Sequence, residues 1–208
     1  MRIGVLGTGV VGRAIFGKLA ELGHDVRVGS RTEGDGRVRF ADAAAHGELV
    51  FNCTNGAGSL DALAAAGEDN LAGKVLVDVS NPLDFSGGGP ALFTDTTDSL
   101  AERIQAAFPS ARVVKTLHTV NCNVMVDPAL VPGDHVVFVC GNDAAAKEQT
   151  TGLLGEFGWP PERVLDLGDL TAARGTEAYV MLWVRLWNVI GGPNFNISVS
   201  TMASSDRP

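Results

Sequence analysis

Cysteine is scarce in this sequence, and its placement argues against a metal site. The three cysteines, Cys53, Cys122 and Cys140, are odd in number, lie far apart and form neither a C-x-x-C pair nor a metal-ligand spacing. Such isolated residues are typical of reduced thiols in a cytoplasmic protein. We therefore expect three free thiols and no bound metal.

Positive charge is also in short supply. The 208 residues include 16 Lys and Arg against 24 Asp and Glu, a formal charge of −8 at pH 7. Proteins that bind the phosphate backbone need a basic surface, so we expect no nucleic-acid partner. Long apolar runs are missing too, and "MRIGVLG" passes directly into a predicted strand without a signal-peptide segment. These patterns predict a soluble, cytoplasmic protein with no membrane partner.

Short β-branched runs alternate with helical patterns along most of the chain, which is typical of a parallel sheet with helices on both faces. The stronger strand predictions cover 2–6, 25–29, 49–53, 74–79, 112–116 and 135–140, and weaker ones cover 37–40 and 163–167. The sequence thus predicts an α/β fold with a Rossmann-like, doubly wound, mostly parallel sheet. We expect this domain to span 1–168 and a small C-terminal helical lobe to span 169–208.

Three segments outside the strands have recognisable patterns. Ser99 with Glu102 three residues later forms a capping-box signature for a helix that runs to about Phe108. The segment 84–98 is predicted to be a long loop, and loops of this length are often functional. The segment 177–192 is apolar almost all round, which indicates a helix with partners on more than one side. That helix belongs either to the core of the lobe or to a subunit interface.

The segment "GTGVVG" has the spacing of a dinucleotide-binding turn. Gly7, Gly9 and Gly12 follow a predicted strand and open a predicted helix, as the G-x-G-x-x-G arrangement requires. The exposed amides and the dipole of that helix N-terminus attract phosphate groups. A Gly-rich turn in an unrelated α/β fold is the alternative, but the strand and helix context favours dinucleotide binding.

The end of the second strand indicates which dinucleotide is bound. An acidic residue at this place accepts hydrogen bonds from the adenosine ribose and selects NAD(H). Here the strand continues into Ser30, Arg31 and Thr32, with no carboxylate before Glu33. A guanidinium can bind a phosphate with two parallel bonds, and both hydroxyls can donate to the other oxygens. The sequence therefore predicts NADP(H), with Arg31 on the 2′-phosphate; stacking on adenine or exposure to solvent is the other possibility for Arg31.

With these segments the chain resembles the F420-dependent NADP oxidoreductases, which reduce the deazaflavin coenzyme F420 with NADPH. The resemblance runs through most of the chain, and the later segments carry it more specifically than the first two, which cytosolic domains of six-transmembrane metalloreductases share. These segments are "GTGVVG", "GSR", "VDVSNPL", "VKTLHTVNCNVMVDP", "VFVCGND" and "GGPNFNI".

The resemblance implies hydride transfer between NADP(H) and an F420 or flavin ring, in a protein that is typically a homodimer. It places Thr8, Val10 and Val11 at the pyrophosphate turn. Two further segments follow strands at the edge of the sheet where ligands collect. The cofactor-binding residues implied there are Cys53, Thr54, Asn55, Ser80, Asn81 and Pro82. An ordinary turn is the alternative for the second segment.

One position departs from the family pattern. In "TLHTVNC" we expect Asn where His118 stands, and a histidine can donate a proton or bond a cofactor carbonyl. His118 is thus the one candidate catalytic residue, although the sequence favours a histidine that is packed in a loop or bonded to the backbone. Two further functions stay open: NADPH-dependent reduction of a small carbonyl or imine with His118 as proton donor, and a non-enzymatic NADPH sensor.

Overall fold

The computed structural model describes residues 1–201, and the last seven residues of the predicted C-terminal lobe, 202–208, lie outside the described residues. The strands are β1 Arg2–Leu6, β2 Asp25–Ser30, β3 Arg37–Arg39, β4 Leu49–Asn52, β5 Val75–Asp78, β6 Leu83–Asp84, β7 Ala91–Leu92, β8 Arg112–Thr116, β9 Val137–Gly141 and β10 Val164–Asp166. The α-helices are α1 Val10–Glu21, α2 Phe40–His46, α3 Ser59–Ala66, α4 Glu68–Leu71, α5 Leu100–Ala107, α6 Cys122–Val126, α7 Ala144–Glu156 and α8 Ala173–Ile190.

Eight of these strands form one sheet in the order β10-β9-β8-β5-β4-β1-β2-β3. Every neighbouring pair is parallel except β8 and β9, which run antiparallel. All eight predicted strands are present, with ends that differ from the prediction by at most two residues. The chain leaves β1 toward β2 on one side and returns to β4 on the other, so the strand order reverses between β1 and β4. The predicted Rossmann-like, mostly parallel sheet is confirmed.

Helices cover both faces of the sheet, because successive side chains along each strand point to opposite faces and both faces are apolar. Within β1, Ile3 and Val5 belong to one buried cluster, and Leu6 belongs to the other. The first cluster packs the sheet against α1, α6 and α7, while the second packs it against α2, α3 and α5. Side chains that alternate between two apolar clusters are the pattern of a doubly wound sheet.

The capping box predicted for α5 is present in the structure. The Ser99 hydroxyl oxygen accepts a hydrogen bond from the Glu102 amide at 3.1 Å, and it donates to the Glu102 carboxylate at 2.7 Å. The helix ends at Ala107, one residue before the predicted end. These two residues therefore fix the start of α5 locally.

The prediction of a single long loop over 84–98 is wrong in part. Strands β6 and β7 pair antiparallel and form a small hairpin whose tip is the Gly-rich segment 86–90. The Phe93 amide donates to the Pro82 carbonyl at 3.0 Å and holds the hairpin to the preceding loop. Two-residue strands are too short to produce a period-2 pattern in the sequence.

Helix α8 starts four residues before the predicted segment and has two kinds of surface. Its buried side includes Thr176, Glu177 and Val180, which pack toward the body of the protein. Its last turns expose apolar side chains to solvent, namely Leu182, Trp187, Val189 and Ile190. One side of α8 therefore belongs to the core, whereas its apolar C-terminal end is exposed. The sequence alone did not decide between these two placements.

The segment after α8 packs back against the protein. The Phe195 ring stacks on Trp183 of α8 at 5.4 Å between ring centroids. The Val136 amide donates to the Ile197 carbonyl at 3.1 Å, just before β9 begins. Asn196 donates through Nδ2 to the Val136 carbonyl at 2.8 Å. These contacts tie the C-terminal segment to the antiparallel side of the sheet.

Candidate functional site

Two cavities lie side by side at the carboxyl ends of the central strands, where the strand order reverses. The larger is about 570 Å³ and the smaller about 280 Å³. Cys53, Thr54 and Asn55, which follow β4, line both of them. Ligands of open α/β sheets bind at such a switch point. The two cavities therefore form one continuous cleft with two chambers.

The predicted phosphate-binding turn forms one wall of the larger chamber. Gly7 has φ +116°, and a Cβ there would come within 2.7 Å of the Cys53 carbonyl oxygen. A Cβ on Gly12 would overlap the Gly7 carbonyl, so this glycine allows helix and strand to approach closely. Both positions need glycine for the fold of the turn itself.

Gly9 differs from the other two glycines in this turn. It precedes α1 with an ordinary φ of −69° and supplies no side-chain cap to the helix. A Cβ on Gly9 would meet nothing within 4 Å. Because the first amides of a helix lack partners within that helix, the open space beside Gly9 can accept an anion.

The acidic residues after β2 are paired with arginines. Arg39 Nε lies 3.1 Å from Glu33 Oε1, and Arg37 Nη2 lies 2.6 Å from Asp35 Oδ2. Arg31 lines the larger chamber, and its guanidinium forms no ion pair within residues 1–201. The two carboxylates that follow Arg31 in the sequence are therefore each paired with another arginine.

The two hydroxyls next to Arg31 do not both face the cleft as we predicted. The Ser30 hydroxyl donates to the Thr32 carbonyl and accepts from the Thr32 amide at 3.3 Å. Ser30 lines the larger chamber, whereas Thr32 lines neither chamber. A short-range bond of this kind stabilises the turn. In this structure the bond between Ser30 and Thr32 shapes the turn, and Ser30 and Arg31 line the chamber.

A row of buried polar side chains lies beneath the cleft. Asn52, Asp78 and Lys115 are aligned in register on β4, β5 and β8, and all three are fully buried. Lys115 Nζ lies 2.7 Å from Asp78 Oδ2 and 2.9 Å from Glu177 Oε1 of α8. Burial alone would lower the pKa of Lys115, but the two carboxylates outweigh it and raise that pKa above its ordinary value.

This row holds both predicted loops of the cleft. Asp78 Oδ1 accepts from Asn52 Nδ2 at 2.8 Å and from the Ser80 hydroxyl at 2.7 Å. Asn52 Oδ1 accepts from the Thr54 hydroxyl at 2.6 Å, and Lys115 donates to the Ser80 carbonyl. The loops after β4 and β5 are thus fixed to one buried network. Our sequence analysis missed it, although its signal was present as charged residues inside apolar strands.

His118 is buried at the wall of the smaller chamber. It follows Leu117, a fully buried residue with φ +62°, which is an unusual conformation for a bulky side chain. Within the described residues, neither ring nitrogen of His118 has a partner at full hydrogen-bond geometry, although the backbone of Thr116 and of Thr176 lies close enough to oppose the lowering of its pKa. Burial, and next the charge of Lys115, hold the pKa of His118 well below its ordinary value. The imidazole is therefore uncharged at neutral pH.

Two more side chains present polar atoms at the smaller chamber. Asn81 donates through Nδ2 to the His118 carbonyl at 2.8 Å, while its Oδ1 has no partner in the described residues. Trp183 of α8 also lines the chamber, and its Nε1 is likewise buried and unpaired there. Nothing in the sequence alone indicates that α8 reaches this site.

Most of the predicted site residues line the cleft, divided between its two chambers. Those of the larger chamber are Gly7, Thr8, Gly9, Ser30 and Arg31, with Cys53, Thr54 and Asn55 shared. Those of the smaller chamber alone are Val10, Val11, Ser80, Asn81 and His118. Those that line neither chamber are Gly12, Thr32 and Pro82. Gly12 and Pro82 are buried beside the cleft, so they support its walls.

Two of the three thiols, and the charged groups, offer little for covalent or metal chemistry. Burial, and next the charge of Asp78, raise the pKa of Cys53, and burial raises the pKa of Cys140 to about 12. Both thiols are therefore protonated and poorly nucleophilic. Within residues 1–201 no group of three or more His, Cys, Asp or Glu side chains could hold a metal ion. No helix in the same residues is long and apolar enough to span a membrane.

The known proteins to which this chain is similar are described as reductases or oxidoreductases. The family model described as "NADP oxidoreductase coenzyme F420-dependent" matches residues 2–82. Metalloreductase STEAP3 of Rattus norvegicus is 31% identical over 200 residues, which cover 90% of this chain and 38% of that protein. The F420-dependent NADP reductase of Methanocaldococcus jannaschii is 29% identical over 147 residues, which cover 70% of this chain and 64% of that protein. This chain thus spans less than two thirds of the length of these curated relatives.

One solved structure matches nearly the whole chain. The crystal structure of a candidate F420-dependent NADP-reductase from Arthrobacter sp. FB24, at 1.70 Å resolution, superposes with a TM-score of 0.92. It is 49% identical, and the match covers 97% of this chain and 100% of that chain. The chain therefore belongs to the family of coenzyme F420-dependent NADP oxidoreductases.

Proposed function

We propose that this protein binds NADP(H) in the cleft and transfers a hydride between its nicotinamide and the ring of F420 or a flavin. The observation that carries the proposal is the cationic side of the larger chamber. Arg31 faces that chamber without an ion-pair partner in the described residues, while Arg39 and Arg37 neutralise the nearby carboxylates. A guanidinium so placed favours a 2′-phosphate over a free hydroxyl.

The remaining residues of the larger chamber suit the rest of the dinucleotide. The open space at Gly9 lies at the N-terminus of the 12-residue helix α1, where unpaired amides and the helix dipole attract a pyrophosphate. The shared wall of Cys53, Thr54 and Asn55 leads from this chamber into the smaller one. We infer that the dinucleotide runs along this wall, with its reactive end toward the smaller chamber.

The protein's contribution to such a reaction is to position the two partners. The nicotinamide, when bound, supplies the hydride chemistry itself. Within the described residues the cleft offers an uncharged His118 and the protonated thiol of Cys53. This composition favours ring-to-ring hydride transfer over reduction of a carbonyl or imine, which would need His118 as a charged proton donor. A cleft with two chambers also supports an enzyme more than a sensor.

We further propose a homodimer that joins through the exposed apolar end of α8. Val189 is 85% exposed, and Leu182 and Ile190 are each 55% exposed. Apolar side chains gathered on one exposed helix end are typical of an interface.

Three free thiols suit a reducing compartment, which agrees with a cytoplasmic location. We also retain the division into a cofactor domain over 1–168 and a C-terminal lobe over 169–208.

The experiment that tests the function follows two absorbances at once. Purified protein is mixed with NADPH and then, in separate cuvettes, with F420, FMN or FAD. Loss of NADPH in step with bleaching of one ring, at a rate proportional to protein, is the expected result. NADPH binding without reduction of any ring would overturn the proposal and leave small carbonyls and imines, or a sensor role, as the remaining functions.

A further inference from the structure

We propose that His118, Asn81 and Trp183 form a clamp that recognises the imide edge of the acceptor ring, and we call these three residues the imide clamp. An imide edge is a ring N–H between two carbonyl groups, as in the pyrimidinedione ring of flavins and deazaflavins. This inference rests on the proposed function, since it concerns the ring that exchanges hydride with the nicotinamide.

The first observation is that the clamp concentrates unpaired polar atoms around one cavity. Oδ1 of Asn81 and Nε1 of Trp183 are buried and lack partners in the described residues. Both ring nitrogens of His118 also lack a partner at full hydrogen-bond geometry, with only the backbone of Thr116 and Thr176 close by. All three side chains line the smaller chamber, although they come from two different loops and from α8. Buried polar atoms are normally paired, and an unpaired one carries an uncompensated cost of desolvation. A ligand that bonds them would recover part of that cost.

The second observation is the direction of each hydrogen bond. The amide of Asn81 is oriented by its bond to the His118 carbonyl, because only Nδ2 can donate there, so Oδ1 is left as an acceptor. Trp183 Nε1 can only donate. His118 is uncharged, so one of its nitrogens donates and the other accepts. The clamp thus provides two donors, Trp183 Nε1 and one nitrogen of His118, for the two ring carbonyls. Of its two acceptors, we assign Asn81 Oδ1 to the ring N–H.

The third observation is that the walls of this chamber suit a flat ring. Val10 and Phe85 are each 63% exposed at its rim, and Met125 lies among its buried lining. Apolar walls with a few polar groups are the usual composition of a site for a planar ligand. The carboxamide of nicotinamide is the competing occupant, because its oxygen can accept two hydrogen bonds and its NH2 group can donate two, and the variants below separate the two ligands.

The clamp can be tested by equilibrium binding, without turnover. FMN and its N3-methyl derivative, which lacks only the ring N–H, are titrated into the protein saturated with NADP⁺, and flavin fluorescence quenching gives each Kd. We expect the wild type to prefer FMN over the methyl derivative by about tenfold, the value of one well-formed hydrogen bond. In Asn81→Ala the preference should disappear, and the ratio is internal to each variant, so it is insensitive to overall loss of affinity.

Matched tryptophan variants test the contribution of α8. Trp183→Phe keeps an aromatic ring for the stack on Phe195 but removes Nε1, and we expect it to weaken FMN binding about five- to tenfold. Trp187→Phe makes the same change one turn later, at a residue that does not line the chamber, and should bind FMN like the wild type. His118→Asn, which keeps a donor and an acceptor, should bind FMN more tightly than His118→Ala.

The outcomes separate the clamp from the proposed function. If FMN and F420 bind but the methyl derivative binds equally well, the clamp is overturned while the proposed function stands. If Trp183→Phe weakens NADP⁺ binding as much as FMN binding, these residues hold the carboxamide and the clamp is again overturned. If NADP⁺ binds and neither ring does, the proposed function fails together with the clamp.

Discussion

Replacing Arg31 with alanine tests the cofactor assignment most directly. The side chain is exposed, lines the larger chamber and forms no ion pair within the described residues, so its removal should leave the fold intact. A hydrogen-bonded charge of this kind is worth about 1.5–3 kcal/mol. Since about 1.4 kcal/mol corresponds to tenfold in affinity, we expect Arg31→Ala to weaken NADPH binding about 10- to 100-fold. NADH lacks the 2′-phosphate and should bind almost as before.

The assay is calorimetric titration of both nucleotides into wild type, Arg31→Ala, Arg31→Lys and Arg27→Ala. Arg31→Lys keeps the charge but loses the planar fork, so its affinity should be intermediate. Arg27 is exposed on the same strand β2 and does not line the cleft, so its removal controls for the change in net charge. Equal weakening of NADPH and NADH by Arg31→Ala would refute the 2′-phosphate assignment.

Three further predictions concern the turn, the buried row and His118. Gly9→Ala should fold normally, because its Cβ meets nothing, yet it should lose most of its affinity for NADPH. Gly17→Ala within α1, where a Cβ also has open space, is the control. It should keep that affinity, and its free energy of unfolding in urea should rise by about 0.5–1 kcal/mol. Equal NADPH binding by the two variants would contradict the anion site at Gly9. Lys115→Met should lower the free energy of unfolding by about 3–5 kcal/mol, because it leaves buried carboxylates unpaired. Adding Asp78→Asn should restore part of that loss. If the effects of the two substitutions simply add, Lys115 and Asp78 do not stabilise the fold as an ion pair. Because the pKa of His118 is depressed in the folded protein, below about pH 6.5 the unfolded chain binds a proton that the folded chain excludes. The free energy of unfolding should therefore fall as the pH decreases. Its slope should exceed that of His118→Asn by up to about 1.4 kcal/mol per pH unit. Parallel unfolding curves from pH 7 to 5 would show that the histidine is not buried uncharged.

The sheet was predictable from the sequence because local patterns determine it. Runs such as "RIGVL" and "RVVKT" are β-branched and short, and each became a strand within the predicted bounds or close to them. The Gly-x-Gly turn was predictable for the same reason, since Gly7 must adopt a positive φ wherever such a turn is built. Properties that depend on a few neighbouring residues can be inferred without knowing the fold.

The buried row was not predicted because it depends on which strands become neighbours. Asp78 and Lys115 are 37 positions apart, and they meet only because β5 and β8 pair in register. Glu177 joins them from α8, where it also accepts hydrogen bonds from the amides of Leu100 and Ala101 at the start of α5. The same limit applies to Trp183, which reaches the cleft only through the packing of α8. A charge inside an apolar strand was the one local signal, and it identifies the residue but not its partner.

The arrangement of the row is compatible with the proposed hydride transfer, which needs little acid or base chemistry in the cleft. Lys115 bonds the Ser80 carbonyl and Asp78 bonds the Ser80 hydroxyl, so the loop that carries Asn81 is attached at two points to a buried ion pair. The charge of Lys115 also acts on His118, because after burial it is the next largest influence that keeps the imidazole uncharged. An uncharged imidazole hydrogen-bonds a ring carbonyl without repelling a positively charged nicotinamide. One buried cation thus orients one wall of the smaller chamber and keeps another uncharged, which is the preorganisation that the proposed hydride transfer between two rings would require.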